Sequence, residues 1–212
     1  MQSCVVCSSK RINKFETKDL LSYWACSSCK AVFLDEQFRV DKKEEKERYL
    51  NHENDINDLG YREFLSRLSN PLKEKLKPDA KGLDFGCGPG PALADILMKE
   101  GYQVDLYDPF FYPNKEIFNK KYNFITCTET AEHFFNPKKE FDVVNSLLHK
   151  GGWFGVMTSF LPNELSFEDW YYRRDPTHVV FYSQKTFKVI AKQRSWLCEI
   201  IGKDVVLFNK KL

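Results

Sequence analysis

Residues 82–108 read, in order, as a strand, a glycine turn, a helix and a second strand. The run GLDF is short and apolar. Gly86, Gly88 and Gly90 follow at alternate positions. PALADILMKEG then carries helical spacing and closes on Gly101, and YQVDLYD ends at Asp108. A β-α-β unit of this kind presents its ligand crevice at the carboxyl ends of its strands. Glycines at the turn let the backbone approach the ligand closely. An acidic residue ending the second strand is positioned to accept hydrogen bonds from ribose hydroxyls. A dinucleotide and another nucleoside satisfy this much equally.

Two prolines separate them. A GxGxxG fingerprint would require its third glycine at position 91, which is Pro91. A pyrophosphate needs backbone N–H donors at the helix start, and Pro89 and Pro91 each remove one. The Gly-Lys-Ser/Thr of a phosphate-binding loop is absent. The turn suits a nucleoside whose other end is not a phosphate.

LDFGCGPG together with DLYDP resembles motif I and the second-strand acid of class I S-adenosylmethionine-dependent methyltransferases. The resemblance implies that Asp84, Gly86, Gly88 and Gly90 border the methionine part of the cofactor and that Asp108 holds the ribose. It continues through FITCTETAEHF, similar to the fourth strand and E-x-x-E-H segment of the family's small-molecule branch. LLHKGGWFGVMTS resembles its helix, glycine turn and fifth strand. SWLCEIIGKDVVLF resembles the closing strand pair, turning at residues 202–204. The expected domain is therefore α/β, a Rossmann-like doubly wound sheet over residues 78–212. One departure stands out: only residues 109–123 separate Asp108 from Phe124, where the family fits a third strand and a helix. That region is expected to be abbreviated, which leaves open the residue that reads the adenine. Phe110, Phe111 and Tyr112 are available for stacking or for core packing.

Ahead of this core, over residues 1–38, Cys4-x-x-Cys7 and Cys26-x-x-Cys29 have the spacing of a zinc ribbon. Two tight knuckles converge four thiolates on a tetrahedral ion, leaving no position for water, so the site is structural. A piece this small depends on its metal to fold. A redox pair is the rival reading, but it needs only one knuckle. An N-terminal four-cysteine domain ahead of such a core also occurs in the small-molecule branch. Residues 39–77 form a charged linker and a helical lead-in. RVDKKEEKERYL reads as a solvated helix or linker without function. From Asn51 to Lys77, Leu59, Phe64, Leu65, Leu68, Leu72 and Leu76 recur as one buried stripe that Pro78 ends. His52, Asn54, Asp58 and Tyr61 line a pocket edge or are ordinary surface polars.

Methyl transfer from a sulfonium requires positioning above all, and a base only where the nucleophile must lose a proton. Glu129, Glu132 and His133 follow the fourth strand. WYYRRDPTHVVFYS, residues 170–183, reads as a lid carrying His178, the best proton acceptor within it. Each histidine has a structural alternative, a helix-start contact for His133 and a loop-holding hydrogen bond for His178. Arg173 and Arg174 meet an acidic substrate or remain solvated. Cys87, Cys127 and Cys198 read as inert. DPFF mimics the signature of amino-directed nucleic-acid methyltransferases, but it follows the wrong strand. The net charge of +2 also argues against a dedicated nucleic-acid binder. No apolar run approaches the ~20 residues that span a bilayer, and the N-terminus lacks a signal-peptide core. Seven cysteines without a signal suggest a reducing, cytoplasmic setting. The reading is a methyltransferase acting on a small molecule at oxygen or carbon. An RNA methyltransferase gripping RNA with its ribbon, and a non-catalytic cofactor-binding scaffold, are the alternatives.

Overall fold

A computed structural model describes residues 2–50, 55–162 and 167–212. His52 and Asn54 lie outside the described residues. The first three strands, β1 (Ile12–Glu16), β2 (Ser22–Cys26) and β3 (Val32–Leu34), pair antiparallel in sequence order. Each CxxC knuckle closes in the same way. The amide of Ser8 donates to the Cys4 carbonyl at 2.9 Å and that of Lys30 to the Cys26 carbonyl at 2.8 Å. Ser8 and Lys30 both take left-handed backbone, with φ of 61° and 65°.

Helices α1 (Lys42–Leu50) and α2 (Leu59–Lys73) follow. Asp58 caps α2 by accepting from the Tyr61 amide. Leu65, Leu68 and Leu72 are buried in a cluster with Leu93, Leu97, Val205 and Leu207. The stripe is shorter than its periodicity predicts. Leu59 is 82% exposed, and the helix stops at Lys73 rather than running to Pro78. Pro71 lies inside its last turn, where its ring and missing N–H weaken the ladder.

The second sheet contains β4 (Lys81–Phe85), β5 (Gln103–Tyr107), β6 (Tyr122–Thr128) and β7 (Leu148–Met157), joined by α3 (Ala92–Lys99) and α4 (Pro137–Leu147). After β8 (Val180–Phe181) and α5 (Gln184–Arg194), the hairpin β9 (Trp196–Ile201) and β10 (Val205–Lys210) completes it. The strand order is β5-β4-β6-β7-β10-β9, with only β10 running antiparallel to its neighbours. This is the Rossmann-like arrangement expected. The third strand is missing among the described residues: after β5 the chain makes a bridge between Asp108 and Tyr112 and a 3-10 turn at Lys115–Asn119.

Short β8 does not join that sheet. It pairs with β3, Val32 opposite Phe181 and Phe33 opposite Val180, as the fourth strand of the ribbon sheet. Thr186 Oγ1 donates to the Cys29 carbonyl at 3.0 Å, and Arg173 pairs with Asp19 at 2.8 Å. Head and core share one apolar cluster that includes Cys4, Phe33, Phe181, Tyr182 and Phe187.

Candidate functional site

A cavity of about 830 Å³ opens at the carboxyl ends of β4, β5 and β6. The glycine turn forms part of its wall. Gly86 and Gly88 have φ of 82° and 63°, a region that side chains disfavour. A Cβ on Gly86 would also lie 2.1 Å from Thr130 Cγ2. Thr130 Oγ1 donates to the Gly86 carbonyl at 2.9 Å, fastening the turn to the segment after β6. Pro91 starts α3 without a side-chain cap.

Two carboxylates meet this turn. Asp84, at 2% exposure, accepts from Thr126 Oγ1 at 2.8 Å. Burial, reinforced by the charge of Asp108 and opposed by that hydrogen bond, pushes its carboxyl up to about 6. Asp108 ends β5, and its Oδ1 accepts from the amides of Phe110 at 2.8 Å and Phe111 at 3.1 Å. Its Oδ2 accepts from the Gly88 amide at 3.2 Å. The second-strand acid thus braces the glycine turn it faces. Phe110 and Phe111 are on the cavity wall, whereas Tyr112 is engaged in the bridge to Asp108.

Glu129, Glu132, His133 and His178 line the same cavity, so the structure brings together the residues after the fourth strand and the predicted lid. Glu129 has a left-handed backbone, φ 45°. Burial first, then the charge of Glu132, raises its carboxyl well above the usual range. Glu132 is fully buried. Tyr172 supplies the hub: its hydroxyl contacts Glu132 Oε1 at 2.5 Å, Thr158 Oγ1 at 3.1 Å and Glu129 Oε2 at 3.2 Å. His133 Nδ1 faces the Thr177 carbonyl at 3.0 Å and His178 Nδ1 the Tyr172 carbonyl at 2.6 Å. A carbonyl only accepts, so each Nδ1 carries a proton and Nε2 is the ring nitrogen left to face the cavity. Burial lowers His133 to about 4, keeping it neutral.

Several assignments change. The charged stretch assigned no function forms α1, and its Lys42, Glu45 and Tyr49 reach the cavity wall. Tyr49 packs edge-on against His133 and Phe110, with centroids 5.2 and 5.8 Å away. Its hydroxyl donates to Glu45 at 2.8 Å, and Arg48 pairs with Asp175 of the lid at 2.9 Å. The four-residue step from Glu45 to Tyr49, which puts both on one helix face, was the available signal. Tyr61 also lines the cavity, whereas Asp58 serves as a helix cap. Arg173 is a buried brace between the lid and Asp19 of the head and does not line the cavity. Burial raises the thiols of Cys87, Cys127 and Cys198, the last to about 11, consistent with inert roles.

The head gathers its four thiols as the spacing predicted. Cys4 and Cys29 Sγ are 3.6 Å apart, as are Cys7 and Cys26, and all four lie within 4.8 Å of one another. A tetrahedral zinc with bonds near 2.3 Å has sulfur–sulfur edges of about 3.8 Å, so the cluster is compatible with a structural zinc ion. No helix among the described residues is long and apolar enough to cross a membrane.

A family model described as a methyltransferase domain matches residues 54–196. Human N-acetylserotonin methyltransferase, solved with S-adenosylmethionine, shares the fold at 13% identity and TM-score 0.51, over 70% of this chain and 52% of that one. An S-adenosylmethionine-dependent methyltransferase from Thermotoga maritima aligns at 16% identity and TM-score 0.47, over 81% of this chain and 96% of that one. No curated protein matches the sequence.

Proposed function

The chain belongs to the methyltransferase-domain family and depends on S-adenosylmethionine, and from that premise we propose that it methylates a small-molecule acceptor at oxygen or carbon. The observation that carries this reading is a single cavity walled both by the glycine turn with Asp84 and Asp108 and by buried Glu129, His133 and His178. When bound, S-adenosylmethionine supplies a methyl group already activated on a sulfonium sulfur. The chain's own tasks are to hold both reactants in line and to exclude water. Gly86, Gly88 and Gly90 would let the backbone approach the methionine part, which Asp84 would border. Asp108 keeps free lone pairs for the ribose hydroxyls beyond its three backbone bonds. Lys42, Glu45 and Tyr49 of α1 add to the cavity wall.

His178 and His133 receive the acceptor's proton at Nε2 in this scheme. Their fixed Nδ1 protons support it, as does the neutrality of His133. Glu129, held high by burial, is the second proton-carrying group. The four thiols of the head hold a structural zinc, and seven cysteines, none in a disulfide among the described residues, support a cytoplasmic location. His178→Ala and His133→Ala, assayed against a panel of hydroxyl and carbon acids, test the proton role. Turnover is expected to fall by about 10²–10⁴-fold with cofactor affinity retained. Near-normal turnover in both variants would return the histidines to purely structural roles. A fall in cofactor affinity equal to the fall in rate would assign them to the cofactor instead.

A further inference from the structure

Glu132, His133 and His178 bring three ligand atoms together inside the cavity. Glu132 is fully buried. The Nε2 atoms of His133 and His178 each stand 4.0 Å from its Oε1. Both Nδ1 protons are committed to backbone carbonyls, so Nε2 is the atom each ring turns toward the carboxylate. Among the described residues the donor nearby is the Tyr172 hydroxyl, which reaches Oε1. Glu132 Oε2 is buried and has no hydrogen-bond partner among the described residues. A buried carboxylate oxygen left in this way is costly. The two imidazole Nε2 atoms, each 4.0 Å from Oε1, are too far away to hydrogen-bond the carboxylate.

A cation engages all three ligand atoms at once. Histidines that bind metals donate their other ring N–H to a carbonyl or carboxylate, which fixes tautomer and orientation. Both imidazoles here are held in that way by carbonyls. The three ligand atoms lie within 4.8 Å of one another. Around an ion with bonds of 2.0–2.2 Å, ligand pairs sit about 3.4 Å apart, so the 4.0 Å pairs must close by roughly 0.6 Å. Two imidazoles and one carboxylate suit a first-row transition cation better than magnesium or calcium.

We propose that Glu132, His133 and His178 form a second metal site, separate from the four thiols, that holds one divalent transition cation and leaves a position open to an oxygen of the acceptor. Three protein ligands with a free position mark a catalytic rather than a structural site. The site rests on the reading that the acceptor enters this cavity. When it is filled, the two Nε2 atoms are bound and no longer receive the acceptor's proton as in the ion-free scheme above; the ion would instead orient the acceptor oxygen and promote loss of its proton. It therefore applies to acceptors carrying a hydroxyl, carboxylate or carbonyl oxygen.

The test uses the full chain with its head already zinc-loaded, and Co²⁺ as the probe, with neither cofactor nor acceptor present. Calorimetry and visible absorption are expected to report one further equivalent, with weak ligand-field bands and no thiolate charge-transfer band. Glu132→Gln, His133→Ala and His178→Ala should each lose that equivalent while keeping zinc in the head and an unchanged circular dichroism spectrum. A wild-type chain that binds no Co²⁺ beyond the head overturns the proposal. So does a further equivalent that survives in the folded variants. Three variants guard against one that misfolds. A methyltransferase with no second ion would refute this site alone, whereas a chain that binds the ion but methylates nothing would refute the functional reading alone.

Discussion

Replacing Asp84 with asparagine should stabilise the cofactor-free protein at neutral pH and weaken cofactor binding at the same time. The carboxyl is buried beside Thr126 and rises from 3.8 to about 6. A rise of this kind means that the folded chain holds the proton after the unfolded chain has released it. Between pH ~4 and ~6 the native state binds more protons, so stability falls as pH increases through that window and the cost is fully present above it. At about 1.4 kcal/mol per pH unit the cost approaches 3 kcal/mol. Asparagine keeps an oxygen for the Thr126 hydroxyl and carries no charge. Its added N–H₂ needs a partner, so a net gain of about 1–3 kcal/mol is expected at pH 7.5, and none at pH 4. Urea unfolding of both proteins across pH 4–8 reads this directly: the wild-type curve should decline relative to the variant between pH 4 and 6. Calorimetry with S-adenosylhomocysteine should meanwhile show roughly ten- to hundredfold weaker binding, the loss of a charge-assisted contact. A variant less stable than wild type at pH 7.5, or a constant difference at every pH, would show that Asp84 does not carry a strained charge.

Three other outcomes are expected. Elemental analysis should find a thiolate-held zinc in the wild type that Cys26→Ser loses; a folded wild type whose four thiols hold no metal would dismiss the ribbon. Asp108→Ala should weaken S-adenosylmethionine binding by roughly ten- to hundredfold, and the wild type should not bind NAD; unchanged affinity in the variant or tight NAD binding would contradict the reading of the turn. Arg173→Ala should lower unfolding stability by about 1–3 kcal/mol, since a buried charged brace to Asp19 is lost, without altering the KM for the acceptor; a changed KM with unchanged stability would put Arg173 in the substrate site after all.

The parts of the fold set by short-range chemistry were legible in the residues. The glycine turn, the acid ending β5, the closing hairpin at Gly202 and both cysteine knuckles depend on local backbone needs and spacing, and each formed where expected. The missing third strand was legible as a simple shortage of chain between Asp108 and Phe124. What escaped depends on distant partners. α1 has no buried residue of its own, so hydrophobic periodicity had nothing to detect. Its role rests on Glu45 and Tyr49 meeting a cavity built by residues 84–178. Strand β8 is two residues long, and nothing in the pair Val180–Phe181 announces a partner at Val32 and Phe33. The extent of α2 was overread because Leu59 and Leu76 fit a period that the helix does not sustain, with Pro71 weakening its final turn. At the cavity, the histidines could be named from the sequence. Tyr172 as their hub could not, because that role follows from Glu129, Glu132 and Thr158 converging on one hydroxyl.

The strand shared between head and core has a consequence for how the chain is made. β3 leaves the ribosome early, but its partner β8 follows only after residues 35–179. At about 5–20 residues per second, that interval lasts roughly 7–30 seconds. Throughout it the nascent head presents an open strand edge with Phe33 at its centre, the kind of edge that pairs with other chains. The knuckles can take their ion in that time, yet the sheet they anchor stays unfinished. Early capture of zinc would therefore fix β3 in a sheet whose edge is still open, and slowed synthesis between β3 and β8 should appear first as aggregation rather than as lost turnover.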